Sequence, residues 1–370
     1  MKRKSILWAL VAVLAVVLVA GVTACGQSSQ TSSAGNKPVY IAMDAKGFQF
    51  QYWQVVYKGA QDEAKKLGVQ ITFQGPDNES DIQQQVDMVN ADLAKKPQAL
   101  CLAALSTTAL SAQLQQAKSM GIPVIGFDSG VPNDTSGAVV ATAATNNEKA
   151  AAIAADHLFQ DPAFQAEVSK ATAANPVVVG VLSQDATSAS IVGRTKGFID
   201  EMLKQLQGVP AVAGAVEVTG QQNYNKASAN PAKVDILVTV PPSTVTTDVA
   251  NSAKQLLATK GLVSIFASNQ GAVDGLLAAT NDGSDLDRAN GKYKNLIVEG
   301  FDADKGQKAA VRSKEFLGSI TQDPYTIGVD AVKLAYEAIN KQPVHDIDTG
   351  AKWYDSTNMD QPDIAQLLYD

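Results

Sequence analysis

The 370 residues hold two histidines and two cysteines, and aromatic residues make up 6% of the chain. Neither His157 nor His345 stands at ligand spacing from a cysteine or from the other histidine, which excludes a His-based triad and the common zinc patterns. His157 lies inside an Ala-rich helical stretch, where a structural role is expected, and His345 lies in a loop near Pro343. The chain has no Gly-x-Ser-x-Gly elbow, no phosphate loop and no dinucleotide fingerprint, so no metal and no cofactor is expected. It also lacks a run of Lys and Arg beyond the first few residues, and its formal net charge is −7. That balance argues against a nucleic-acid surface. A carboxylate-based glycosidase is the enzyme class these absences leave open, since two aspartates could face one cleft.

One long apolar run is present, Ile6 to Val22. It follows Lys2, Arg3 and Lys4 and precedes Val22-Thr23-Ala24-Cys25 and the polar stretch Gly26 to Asn36. A basic start, an apolar run and small residues before a cleavage point make residues 1–24 a secretory signal. An uncleaved membrane anchor is the alternative, and either places the rest of the chain outside the cytoplasm. Cys25, directly after the small residues, resembles the bacterial lipoprotein signal, in which that Cys is acylated and becomes the new amino terminus. Residues 25–37 would then be a flexible tether. Removal of Lys2, Arg3 and Lys4 takes the net charge from −7 to −10. An acylated Cys25 leaves Cys101 without a disulfide partner; in Ala99-Leu100-Cys101-Leu102-Ala103 it reads as a small core residue.

A chain of this length is expected to form two domains. Short β-branched runs alternate with helical patterns. Strands are expected at Val39–Met43, Val69–Phe73, Ala99–Leu105 and Pro123–Phe127, with helices at Val55–Leu67, Ile82–Lys95 and Leu110–Met120 between them. A strand at Ala138–Thr142 leads towards the second half, and a helix at Asn147–Leu158 follows. The pattern restarts with strands at Pro176–Leu182, Ala213–Val218, Leu262–Phe266, Leu296–Phe301 and Phe316–Ile320. Their helices are Ser190–Leu206, Val245–Leu257, Ala272–Thr280 and Ile327–Ile339; Gln221–Lys233 reads as a polar surface excursion and Asn281–Asn290 as a charged loop. Strict alternation of this kind gives parallel sheets covered on both faces, hence two doubly wound α/β lobes.

Gly126-Phe127-Asp128 and Gly300-Phe301-Asp302 each close a β-branched run with a carboxylate. In open α/β sheets ligands bind beyond the carboxyl ends of strands. Lys46, Gln184, Asp185, Asn269 and Gln322 also follow strand ends. Each alone reads equally well as a helix cap or loop residue, Asp302 in particular as the cap of the next helix. Together they read as hydrogen-bonding groups for the hydroxyls of a small polar ligand. Gly47–Trp53 adds four aromatics in seven residues, Phe48, Phe50, Tyr52 and Trp53, ahead of the first helix. In an extended loop Phe48, Phe50 and Tyr52 would share one face and Trp53 would point elsewhere. Aromatics in a loop must bury something; core packing is expected of Phe48 more than of Tyr52 and Trp53.

In this order the residues resemble the sugar-binding proteins of bacterial ABC importers, in the ribose- and galactose-binding group of the periplasmic-binding-protein type I family, over essentially the whole mature chain. Tyr52-Trp53 match that family's paired aromatic, Asp128 its strand-four aspartate, and Arg194 in Arg194-Thr195-Lys196-Gly197-Phe198 its ligand arginine. Asn269, Asp302 and Gln322 match a strand-end Asn, the second-lobe aspartate and a hinge glutamine. Ser129 departs from the ribose pattern, which usually has Arg there, and Gly47–Trp53 and Asp348–Tyr354 look more like fructose-import binding lipoproteins. The resemblance implies two lobes joined by a three-strand hinge, 38–143 plus 323–343 and 144–322 plus 344–370. It implies a monosaccharide, fructose first and ribose or xylose next, with Tyr52 and Trp53 stacking its ring. Lys46, Asp128, Arg194, Asn269, Asp302 and Gln322 would contact its polar groups. It further implies a lipid-anchored monomer on the extracytoplasmic face of the cell membrane, serving permease and ATPase subunits and doing no chemistry. A sensing receptor of the same fold shares every one of these residues.

Overall fold

The computed structural model describes residues 38–369. The expected signal segment 1–24, the acylated Cys25 and the tether 25–37 lie outside the described residues.

Strand β1 (Tyr40–Asp44) is buried from Ile41 onward because both of its edges are taken. The chain runs from it through α1 (Gln51–Leu67), β2 (Gln70–Gln74), α2 (Ile82–Ala94), β3 (Ala99–Leu102), α3 (Ser111–Ser119), β4 (Val124–Phe127) and β5 (Val139–Ala144). β2 and β3 flank β1 in parallel, so the chain turns to opposite sides of its first strand. Gly68, in the left-handed region at φ 68°, ends α1 with the backbone N–H that a residue with a Cβ would present less readily.

The second lobe begins with α4 (Asn147–Gln160) and α5 (Pro162–Lys170). It continues through β6 (Val177–Leu182), α6 (Ala189–Gln207), β7 (Val216–Gly220), β8 (Val234–Thr239), α7 (Thr246–Leu257), β9 (Leu262–Ala267), α8 (Gln270–Ala279), β10 (Ile297–Phe301), α9 (Lys305–Arg312) and β11 (Gly318–Gln322). The last elements are α10 (Pro324–Ile339), β12 (Ile347–Asp348), β13 (Ala351–Tyr354) and α11 (Pro362–Ala365). The first sheet has the order β2-β1-β3-β4-β5-β12 and the second β7-β8-β6-β9-β10-β11-β13, with β13 antiparallel to β11 and the other pairings parallel. In the second sheet β6 is the first strand, with β8 and β9 on its two sides, so both sheets are doubly wound.

The chain passes between the sheets three times: after β5, at Asp323 between β11 and α10, and at Thr349–Gly350 between β12 and β13. The third passage differs from the boundary expected at 343–344. Ile347 and Asp348 pair with Ala143 and Ala144 in the first sheet, which carries that lobe on to Asp348. A two-residue strand leaves no hydrophobic period to read. Strand β8 is not among the expected strands; its burial alternates, and it begins directly after the polar excursion that ends at Lys233. The helix α5 was missed although its signals are local: Pro162 at the first turn, and Asp161 accepting from the backbone N–H groups of Ala163 and Phe164.

Helices α1 and α10 cover one face of the first sheet and meet through two glycines. A Cβ on Gly59 would fall on the carbonyl oxygen of Tyr325, and one on Gly328 on that of Val56. In the second sheet Glu299 occupies the middle of β10, 1% exposed, on the same pleat face as the buried Ile297 and Phe301. Its two carboxyl oxygens have no hydrogen-bond partner among the described residues. Burial, with a smaller contribution from Asp161, holds its pKa well above the ordinary value. His157 stacks on Trp353 with centroids 4.0 Å apart. Cys101 is buried and has no disulfide partner among the described residues, its Sγ directed at the carbonyl of Ala331.

Candidate functional site

The eight site residues expected from sequence, Lys46, Tyr52, Trp53, Asp128, Arg194, Asn269, Asp302 and Gln322, line one small cavity between the carboxyl ends of the two sheets. Phe50, Glu79 and Gln270 line it too.

The aromatic segment is not an extended loop. Helix α1 begins at Gln51, with Phe50 as its N-cap, so Tyr52 and Trp53 belong to its first turn. Both are buried, Trp53 at 1% exposure, and their rings meet edge to face at 5.0 Å. Phe50 reaches the cavity, whereas Phe48 packs edge-on against Phe73 and Tyr57 on the flank of the first lobe. The segment carries too few residues before the helix for a period-two pattern to develop, which is why the extended reading failed.

Polar side chains in the cavity are tied to one another. Tyr52 donates from its hydroxyl to Asp128 Oδ1 at 2.7 Å. Trp53 Nε1 donates to Glu79 Oε1 at 2.7 Å, and Lys46 Nζ lies 3.4 Å from Glu79 Oε2. Burial opposes the charge on Lys46, but Glu79, Asp128 and Asp185 outweigh it and raise its pKa. In the second lobe Arg194 lies over the ring of Phe301, 3.8 Å from its centroid. Its Nη1 donates to Asp302 Oδ2 at 3.3 Å and to the carbonyl of Ser268 at 3.2 Å. Gln322 Nε2 donates to Asp302 Oδ1 at 2.7 Å. Asn269 has two roles: its Oδ1 caps α8 by accepting from the N–H of Ala272, and its Nδ2 donates to Gln184 Oε1 at 2.6 Å. Asp302 does not cap α9; Asp304 does, accepting from Gln307 N, and the Asp302 carboxylate faces the cleft. Asp185 caps the turn before α6 and does not line the cavity.

Several hydrogen bonds join the lobes. Gln184 Nε2 donates to Glu79 Oε2 at 2.8 Å, Lys46 Nζ to Ser190 Oγ at 3.3 Å, and Ser190 N to Ser129 Oγ at 3.3 Å. Ser129, at the position noted above as departing from Arg, is thus an interlobe contact. Glu79 was missed because its loop has no strand-end pattern. Its seat is made by Gly47 and Gly75, which pack backbone to backbone; a Cβ on Gly75 would lie 3.0 Å from Gly47 Cα. The space left among these groups is about 20 Å³, room for about one water. A larger ligand therefore requires the lobes to part and the internal pairs to be exchanged.

Burial raises the pKa of Asp128, against the opposing pull of Lys46 and Arg194. Its Oδ2 has no partner among the described residues, and neither does Gln270 Oε1. A buried acceptor without a partner costs about 1–3 kcal/mol, so both atoms are placed to receive hydrogen bonds from something in the cavity.

The periplasmic binding protein domain family matches residues 41–343. The chain belongs to that family. Among relatives of this periplasmic binding protein, the ribose import binding protein of Bacillus subtilis is 24% identical over 322 residues, covering 85% of this chain and 87% of the relative. A Brachyspira murdochii structure described as an ABC transporter, LacI family transcriptional regulator, is 37% identical with a TM-score of 0.74, covering 90% of this chain and 99% of its own. An ABC transporter solute-binding protein from Agrobacterium vitis with bound D-fucose is 25% identical with a TM-score of 0.70, covering 89% and 100%. As in those folds, the two lobes of this periplasmic binding protein are parallel-sheet α/β units, and its cavity lies where the strand ends of both meet.

Proposed function

We propose that this protein is the extracytoplasmic monosaccharide-binding subunit of an ABC importer, a lipid-anchored monomer that binds its sugar and catalyses no reaction. Fructose is the first ligand of this reading, and ribose or xylose the next. The observation that carries it is the pair Asp128 and Asp302, one from each lobe, facing a single cavity that Tyr52, Trp53 and Arg194 also line. Vicinal hydroxyls suit carboxylates and a guanidinium fork, and the apolar face of a sugar ring suits Tyr52 and Trp53. The relative that imports ribose and the structure that holds D-fucose support the substrate class. Lobe closure around the ligand is a hinge motion, and the three passages of the chain between sheets supply the hinge. Micromolar affinity corresponds to about −8 kcal/mol, within reach of a few charge-assisted hydrogen bonds and one stacked ring.

Calorimetric titration of the purified protein with fructose, ribose, xylose, glucose and galactose tests the reading. One-to-one binding of fructose or a pentose, lost in Asp128→Ala, is expected. Absence of heat with all five sugars would overturn it, and turnover of a glycoside would replace it with the hydrolase. Sugar uptake by cells lacking the protein separates import from sensing: restored uptake on re-expression is expected.

A further inference from the structure

Gln270 is the first residue of α8 and is 6% exposed in the cavity wall. Its backbone and side chain are both held. Its N–H donates to Asp302 Oδ2 at 3.1 Å, and its Nε2 donates to Asp304 Oδ2 at 3.3 Å. Because the Asp304 carboxylate accepts, the amide nitrogen must face it, and the amide oxygen is left without a partner among the described residues. Asp274, one turn along α8, is pushed up to about 8 by burial and by the neighbouring Asp304. The amide is therefore oriented by its neighbours.

Asp128 Oδ2 is the matching unpartnered acceptor in the first lobe. The other carboxylates of the cavity are already compensated, Glu79 by Lys46 and Asp302 by Arg194. At formal charge the lining thus sets Lys46 and Arg194 against Glu79, Asp128 and Asp302, one negative charge in surplus, and it holds two open acceptors, one per lobe.

We propose that Gln270 is a ligand-contacting, specificity-determining residue whose Oε1 accepts from a hydroxyl on the edge of the ligand opposite the hydroxyl bound by Asp128, and that the site selects neutral polyols over anionic sugars. This rests on the monosaccharide reading above and adds the residue and the charge class to it.

The test is calorimetric titration of the parent protein, Gln270→Met and Asp304→Asn with D-fructose, D-ribose and D-xylose, with the 6-phosphate of fructose, and with monodeoxy forms of whichever sugar binds. Gln270→Met keeps the backbone N–H and removes the acceptor. It is expected to bind the sugar about ten-fold or more weakly, and one monodeoxy sugar is expected to bind parent and variant alike. Asp304→Asn keeps a helix cap but lets the Gln270 amide turn over, and a loss of about three-fold or more is expected; if Gln270→Met loses its thermal transition, this variant alone decides. The sugar phosphate is expected to bind at least ten-fold more weakly than the parent sugar. Unchanged affinity in the folded variants would overturn the role of Gln270 while leaving the monosaccharide reading standing, and equal binding of the phosphate would overturn the charge class. Failure of the parent to bind any of the three sugars would overturn both readings.

Discussion

Asp128 and Asp302 share one backbone conformation in two different lobes. Each follows Gly-Phe at a strand exit, each lies in the left-handed region (φ 54° and 75°), and each donates its N–H to the adjacent strand, to Ala143 O at 3.0 Å and Ile320 O at 2.6 Å. Aspartate tolerates this region better than most residues. The side chains differ in what they meet. Asp128 keeps one oxygen open, whereas Asp302 is engaged at both, by Gln322 and by Arg194 with the Gln270 N–H.

That difference separates two substitutions. Asp128→Asn is expected to weaken sugar binding by about 10- to 100-fold with little change in unfolding free energy. Asp302→Ala is expected to weaken binding and also to destabilise the fold by about 3–5 kcal/mol, because it strands the buried Arg194. Titration calorimetry and urea unfolding on the same preparations check both; equal stability loss in the two variants would contradict the assignment.

Glu299 predicts a pH dependence. Its carboxyl is held well above its ordinary value in the folded chain, while in the unfolded chain it titrates near 4.3. The folded state therefore binds the proton more tightly. The stability this contributes is complete below the unfolded value and is lost as pH rises towards the folded one. Glu299→Gln removes the titration, so the variant is expected to gain on the parent by up to about 1.4 kcal/mol per pH unit above pH 4.3. Urea unfolding from pH 4 to 8 reads the gap; a constant gap would be evidence against a buried neutral carboxyl.

The crossing of α1 and α10 predicts a third outcome. Gly59→Ala and Gly328→Ala each push a methyl onto a backbone carbonyl of the facing helix, which cannot yield as a side chain end can. A loss of about 1–3 kcal/mol or more is expected for each, seen as a lower thermal midpoint, and less than additive in the double variant because the first already separates the helices.

The fold was legible in the sequence wherever strands were buried on both faces and free of polar residues, as in β4 and β6, since such runs are continuous and apolar. It was illegible where a strand is short, as β12, or borders a polar excursion, as β8. Within the site, groups at strand exits were legible because topology alone brings carboxyl ends together. Glu79 and Gln270 were not, because each depends on a neighbour far away in sequence: Glu79 on the contact of Gly47 with Gly75, Gln270 on Asp304. Phe50 was noted in the aromatic cluster, but the onset of α1, not loop alternation, decides where it points.

The return of the chain to the first lobe has a consequence for biosynthesis. Helix α10 lies across β3, β4 and β5 and against α1, yet it follows the whole second sheet save β13. While a ribosome is still making residues 145–322, the nascent first lobe has the part of one sheet face over β3, β4 and β5 bare, with α1 alone on that side. The second lobe's parallel core can assemble earlier than the lobe that precedes it in the chain. A chain stopped short of Pro324 therefore exposes the apolar face that Ile327, Ala331, Val332 and Ala335 would have covered, a target for chaperones and proteases that the finished molecule does not present.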